Sequence, residues 1–180
     1  MIAAIVLAAG ESTRFGGPKQ LVLLDRVLEN VRGANFDDVI VVLGAYAADI
    51  LREIELGAAR LVINENYADG MSTSIQAGLR ALHDNTEAAM IVLGDQPYVR
   101  SSTMQLLLDE FRRARPPALV PVHDGRRGNP VVVAAELFPA MMELQGDVGF
   151  RAIAGRWPVT EVAVDDDGVL RDVDTVGDLR

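Results

Sequence analysis

Two periods of apolar and polar positions alternate along this chain. Met1 to Leu7, Val39 to Leu43 and Ala88 to Leu93 are continuous, branched apolar runs, the pattern of strands buried on both faces, and Arg60 to Ile63 is a shorter run of the same kind. Between them apolar residues recur at helical spacing. Leu24, Val27, Leu28 and Val31 do so in Val22 to Arg32; Ile50, Leu51 and Ile54 in Ala45 to Glu55; Ile75, Leu79 and Leu82 in Met71 to Leu82. Ser101 to Arg115 predicts a further helix, capped by Ser101 or Ser102 and stopped by Pro116-Pro117. Strand and helix thus repeat up to residue 117, which predicts a three-layer α/β/α, Rossmann-like sheet with right-handed crossovers.

The rest of the chain changes character. Ala118 to Val122 and Asn129 to Ala134 flank Asp124-Gly125-Arg126-Arg127-Gly128, a hairpin-like reversal. Ala135 to Leu144 and Val148 to Ala154 predict short helices. Thr160 to Val164 and Val169 to Val173 predict strands around Asp165-Asp166-Asp167-Gly168, read as a solvated turn. The sheet is therefore expected to be mostly parallel with a small antiparallel addition. No repeat or linker interrupts the chain, so residues 1–180 are read as one domain, with 1–117 and 118–180 as halves of different pattern.

Composition narrows the class. Of 180 residues 49% are hydrophobic but only 5% aromatic, a core of Val, Leu, Ile and Ala. No run reaches membrane-spanning length and the N-terminus has no signal-peptide pattern, so cytoplasm is the expected location and no membrane partner is expected. Cysteine is absent, which excludes disulfides and thiol catalysis. A net charge of −9 disfavours nucleic acid as a partner. His83 and His123 read as surface residues, and a structural zinc site is not expected.

The chemistry gathers first in Leu7-Ala8-Ala9-Gly10-Glu11-Ser12-Thr13-Arg14-Phe15-Gly16-Gly17-Pro18-Lys19. A buried strand empties here into a glycine-rich turn with two hydroxyls, Arg14 and Lys19, which suits an anion. Backbone N–H groups can converge on phosphate oxygens, Arg14 can fork onto them, and Lys19 adds a point charge. The spacing fits neither the P-loop nor the Gly-x-Gly-x-x-Gly dinucleotide turn. Gly94-Asp95-Gln96-Pro97 follows the most apolar strand and so lies at the carboxyl edge of the sheet, where open α/β sheets bind ligands. A carboxylate there can hold Mg²⁺. Asp172 and Asp174 stand two residues apart and share one side of an extended segment. Gly70-Met71-Ser72-Thr73-Ser74 opens a helix with free N–H groups and hydroxyls.

Together these stretches resemble the nucleotidyltransferases of the MobA-like family. The first loop is similar to Leu-Ala-Ala-Gly-x-Ser-x-Arg-x-Gly-x-x-Lys, and the others to the family's Gly-Asp-x-Pro, Gly-Met-Ser-x-Ser and Asp-Ile-Asp-Thr-Pro. Arg127-Gly128-Asn129-Pro130 and Gly146-Asp147-Val148-Gly149 resemble its Gly-Asn-Pro and Gly-Asp-x-Gly on the acceptor side. The chain departs from the pattern in having Val176 in place of proline and no Gly-x-Pro turn after Leu21; that connection is either shortened or lacks several residues.

The resemblance implies a glycosyltransferase-A-like fold and Mg²⁺-dependent nucleotidyl transfer. Leu7, Ala8, Ala9, Gly10, Arg14, Lys19, Gly70, Ser72, Ser74 and Asp95 would bind nucleotide, with Arg14, Lys19 and Asp95 catalytic. Asp95 and Asp174 would bind metal, with Asp172 the alternative second ligand, and Gly128, Asn129, Gly146 and Asp147 would meet the acceptor. Leu-Ala-Ala-Gly is similar to the cytidylyltransferase branch, which implies CMP transfer from CTP to a molybdopterin-type cofactor and a molybdoenzyme or its chaperone as protein partner. Guanylyl transfer, a sugar-phosphate acceptor and a non-catalytic cofactor-delivery role are the alternatives. Thr175 as a helix cap is the structural alternative for the last motif.

Overall fold

The computed structural model describes residues 1–11 and 18–179. Strands β1 (Ile2–Ala8), β2 (Asp38–Leu43), β3 (Arg60–Ile63) and β4 (Ala88–Leu93) are connected by helices α1 (Gln20–Arg32), α2 (Ala47–Glu53) and α3 (Met71–Arg80). They pair in parallel in the order β3-β2-β1-β4. Helix α4 (Ser101–Ala114) leads to β5 (Ala118–His123), β6 (Arg126–Arg127) and β7 (Val131–Ala134). β7 runs antiparallel between β4 and β5, β6 extends the hairpin, and β8 (Val159–Ala163) joins β5 in parallel. A short helix α5 (Phe138–Met142) follows β7. This is a three-layer α/β fold with a mostly parallel, mixed sheet, as the strand–helix repeat predicts.

Two-residue alternation along the strands makes the layers. Ala4 and Val6 of β1, with Met90 and Val92 of β4, face a core closed by Leu24, Val27 and Leu28 of α1 and Leu107, Leu108 and Phe111 of α4. Ile5 and Ile91 point the other way, against Ile75 and Leu79 of α3 and Met141 of α5. The apolar runs are continuous because both faces of the sheet are covered.

Several elements differ from the sequence reading. Helix α1 begins at Gln20, directly after Lys19, with no intervening turn. Leu51 is 42% exposed: the short α2 meets the core through Ala47 and Ile50, with Ile54 just beyond its end. Val148 to Ala154 forms 3-10 turns (Phe150–Ala152 and Ala154–Arg156) in place of a helix. Val169 to Val173 is not a strand: a 3-10 turn spans Asp167–Leu170, and Val169 and Val173 are buried from irregular backbone.

The aspartate turn is not solvated throughout. Asp166 is 1% exposed. Its Oδ2 accepts from Arg100 N at 2.9 Å and from Thr103 Oγ1 at 2.5 Å, and its Oδ1 accepts from Gly168 N at 3.1 Å. The α4 N-terminus is therefore capped by Asp166 from a distant turn, and neither Ser101 nor Ser102 caps it. His83 is exposed as expected; His123 is half-buried, with Nδ1 3.0 Å from the Val164 carbonyl.

Candidate active site

The carboxyl ends of β1 and β4 open into a cavity of 460 Å³ lined by Leu7, Ala8, Ala9, Gly10, Lys19, Gly70, Ser74, Asp95 and Asp174. The structure thus brings most of the expected nucleotide and metal residues around one space. Ser72 is the exception: it is 1% exposed and lines neither this cavity nor its neighbour. Arg14, the remaining expected residue, lies outside the described residues.

Lys19 is the centre of the polar cluster. Its Nζ donates to Asp95 Oδ2 at 3.0 Å, to the Val173 carbonyl at 3.1 Å and to Asp174 Oδ1 at 3.4 Å. Lys19 precedes α1, Asp95 lies in the turn after β4, and Asp174 comes from the C-terminal segment, so the ammonium ties three distant parts of the chain together. The Thr175 backbone N–H and hydroxyl both donate to Asp178 Oδ2, so this turn is locally capped while Asp174 still faces Lys19. The local cap and the cavity contact coexist.

Asp172 also opens onto the cavity. Its Oδ1 accepts from Gln96 Nε2 at 2.6 Å. The protein mass around Asp172 holds its carboxyl above the usual carboxylate range, helped by the negative charges of Asp95 and Asp174, while the Gln96 bond opposes the shift. Gln96 is buried, and among the described residues its Oε1 has no partner. Gln20, also buried, donates through Nε2 to the Gly10 carbonyl at 2.6 Å and fixes the start of the first loop.

A second cavity of 530 Å³ adjoins the first and shares Met71, Leu93, Asp147 and Asp172 with it. Ile75, Ile91, Val120, Val131 and Phe150 make its walls mainly apolar, and Arg127 and Asn129 give it polar edges. Gly128, Asn129 and Asp147 line it, as expected of acceptor residues. Gly146 does not line it; its carbonyl accepts from Ser72 N at 3.1 Å, while Asp147 Oδ1 accepts from Met71 N at 3.3 Å. The first N–H groups of α3 are therefore satisfied within the protein, against the expectation that they are free for an anion. Thr73 N likewise donates to the Gly70 carbonyl.

A cavity over the carboxyl ends of parallel strands, with a lysine, aspartates and an adjoining second cavity, suits a phosphoanhydride and a second substrate. The MobA-like NTP transferase domain matches residues 4–161. The chain belongs to the MobA-like NTP transferase family. It is 32% identical to nicotine blue oxidoreductase of Paenarthrobacter nicotinovorans, over 97% of this chain and 93% of that one. Among solved structures, Rv0371c of Mycobacterium tuberculosis H37Rv matches with a TM-score of 0.90 and 33% identity, covering 98% of this chain and 94% of that one. Its manganese complex matches at 0.84 and 31%, covering 98% and 95%.

Asn64, Gln20 and Gln96 were not singled out by sequence. Each is a lone amide near a turn whose partners are fixed only by the fold. The Gly-Asp-Gln-Pro motif contained Gln96, but nothing in its spacing tied it to Asp172. No helix of the described residues is long and apolar enough to cross a membrane.

Proposed function

We propose that the chain transfers CMP from CTP to the phosphate of a molybdopterin-type acceptor with release of pyrophosphate. The observation that carries this reading is the Lys19 ammonium between Asp95 and Asp174, in a cavity that shares a wall with a second, mainly apolar one. An acceptor phosphate oxygen attacks the α-phosphorus, a new P–O bond forms, and the α–β bridging bond breaks with its electrons leaving on pyrophosphate. The chain needs no nucleophile of its own for this step. Its task is to bring anions together and to oppose the charge on the leaving group.

Lys19 and the backbone around Ala9 and Gly10 would hold the phosphates, with Arg14 from the same loop. Gly128, Asn129 and Asp147 would orient the acceptor in the neighbouring cavity. Residues 1–117 then supply most of the nucleotide site and 118–180 most of the acceptor site.

The donor set fits a hard divalent cation. The three atoms around the Lys19 ammonium are all oxygens, two carboxylate and one carbonyl, and the ammonium already holds a positive charge among them. Among the described residues no group of three or more His, Cys, Asp or Glu forms a metal cluster, so Asp95 and Asp174 would share the ion with substrate phosphates. Mg²⁺ bound there would neutralise phosphate charge. The solved manganese complex of Rv0371c supports a divalent ion here.

A second reading, an oxidoreductase, is favoured by the 32% identity to nicotine blue oxidoreductase and by the apolar second cavity. The Lys19–Asp95–Asp174 cluster suits the neutralisation of phosphate charge, which ranks this reading second. Pyrophosphate release from each of the four nucleoside triphosphates, with Mg²⁺ and a molybdopterin-type acceptor, tests the first. The expected result is release with CTP. Equal release with GTP would remove the cytidylyl assignment, and oxidoreductase turnover with nicotine blue without any pyrophosphate release would favour the second reading.

A further inference from the structure

Asn64 follows β3 and is 4% exposed. The orientation of its amide is forced by its neighbours. Oδ1 accepts from the Asn66 backbone N–H at 3.0 Å, and a peptide N–H can only donate, so the amide nitrogen faces the other way. There Nδ2 donates to Thr73 Oγ1 at 2.8 Å and to Ser74 Oγ at 3.0 Å.

The two hydroxyls then differ. Thr73 hands its own proton to the Gly70 and Asn66 carbonyls, each at 2.9 Å. Among the described residues no acceptor receives the proton of Ser74. Ser74 is 5% exposed and lines the nucleotide cavity. A buried hydroxyl that already accepts and has not donated is a donor awaiting an acceptor.

We propose that Asn64 is a positioning residue that fixes the Ser74 hydroxyl as a donor into the cavity, so that the bound nucleobase must present an acceptor there, a carbonyl oxygen or a pyridine-type ring nitrogen. This rests on the nucleotide reading of the cavity. Ser74 stands on α3, which packs over β1 and β2, whereas Lys19, Asp95 and Asp174 gather at the end of β4. A triphosphate held at Lys19 therefore leaves its base on the Ser74 side.

Asn64→Asp tests it, because the side chain keeps its shape while an acceptor replaces the amide donor. The Ser74 proton is then drawn inward to the carboxylate and withheld from the ligand. Calorimetric titration with Mg²⁺ should show CTP binding weakened about tenfold, the loss of one hydrogen bond and the exposure of an unpaired acceptor. Tripolyphosphate and an abasic ribose triphosphate should bind as they do to the unaltered protein. Ser74→Ala should reproduce the CTP loss, and the double variant should add nothing to it. Should Asn64→Asp fail to fold, Asn64→Ala decides the point in the same way with a smaller loss, about threefold.

Equal weakening of CTP, abasic triphosphate and tripolyphosphate would reduce Asn64 to a structural residue and overturn the inference. Weakening of CTP and the abasic triphosphate alone would move the acceptor to the sugar and overturn the base assignment. Failure of the unaltered protein to bind CTP, or any other nucleoside triphosphate, would instead remove the nucleotide reading and the inference with it.

Discussion

Gly70 and Gly146 meet backbone to backbone. A Cβ on Gly70 would stand 2.3 Å from the carbonyl carbon of Gly146, and Gly70 has a φ of +107°. The contact locks the start of α3 to the turn that carries Asp147, and Met71 and Asp147 belong to both cavities. Gly70→Ala should therefore cost about 3 kcal/mol or more, from a strained backbone and a clash that only a shift can relieve. Gly146→Ala has a φ of +77° but open space around the new methyl, so about 1 kcal/mol is expected. Urea unfolding of the two variants checks the order; equal losses would show that the close approach does not constrain the fold.

Asp166 provides a second test away from the site. Its carboxylate satisfies the Arg100 and Gly168 N–H groups and the Thr103 hydroxyl in a buried position. Asp166→Ala should destabilise by about 2–4 kcal/mol, because several donors lose their partner at once. Asp166→Asn keeps one acceptor oxygen and should lose less. Denaturant midpoints at constant m-value report the difference, and a loss under 0.5 kcal/mol for the alanine variant, roughly that of a surface change, would refute the cap.

These two positions also mark where the sequence was legible. The parallel strands were read correctly because both faces are covered, which writes burial into every residue of the run. Val169 to Val173 was misread as a strand because Val169 and Val173 are buried without any ladder, Val173 instead donating its N–H to the Asp95 carbonyl at 2.8 Å. Asp166 looked solvated because the helix it caps lies some sixty residues earlier. The cluster of Lys19, Asp95 and Asp174 was legible through motif resemblance, since each residue belongs to a stretch of recognisable composition. The amides of Asn64, Gln20 and Gln96 were not, because one polar residue carries no period and its partners are set by tertiary contact.

Asp38 and Arg60 predict a pH dependence far from the cavity. Arg60 donates to both Asp38 oxygens across the start of β2 and β3, and this lowers the Asp38 pKa against the opposing effect of burial. A folded-state pKa below the unfolded value adds stability above the ordinary carboxylate value, and that stability is lost as pH falls through the folded value. Asp38→Asn should thus cost about 1 kcal/mol at neutral pH, a figure kept small because Arg60 is 39% exposed. The cost should vanish in acid, below the lowered pKa of Asp38. Thermal melts of both proteins across that range decide it: a gap that stays constant with pH would exclude the charge on Asp38 as its source.

Lys19 carries the sharpest functional prediction. Its ammonium is 3.0 Å from Asp95 and 3.4 Å from Asp174, with a side chain only 14% exposed, so it is held before any substrate arrives. A charge already in place acts on the transition state without reorganising, and charge on the transferring phosphate region grows as pyrophosphate leaves. Lys19→Met keeps the apolar stem and removes the charge. Its kcat for pyrophosphate release should fall about 100-fold or more, with a smaller change in the KM for nucleotide. The same substitution empties the oxygen cage of its cation, so Mg²⁺ alone should raise the Tm of the variant more than that of the unaltered protein. A raised KM with unchanged kcat would make Lys19 a ground-state anchor. Equal Mg²⁺ shifts in both proteins would separate the metal from the oxygens that surround Lys19.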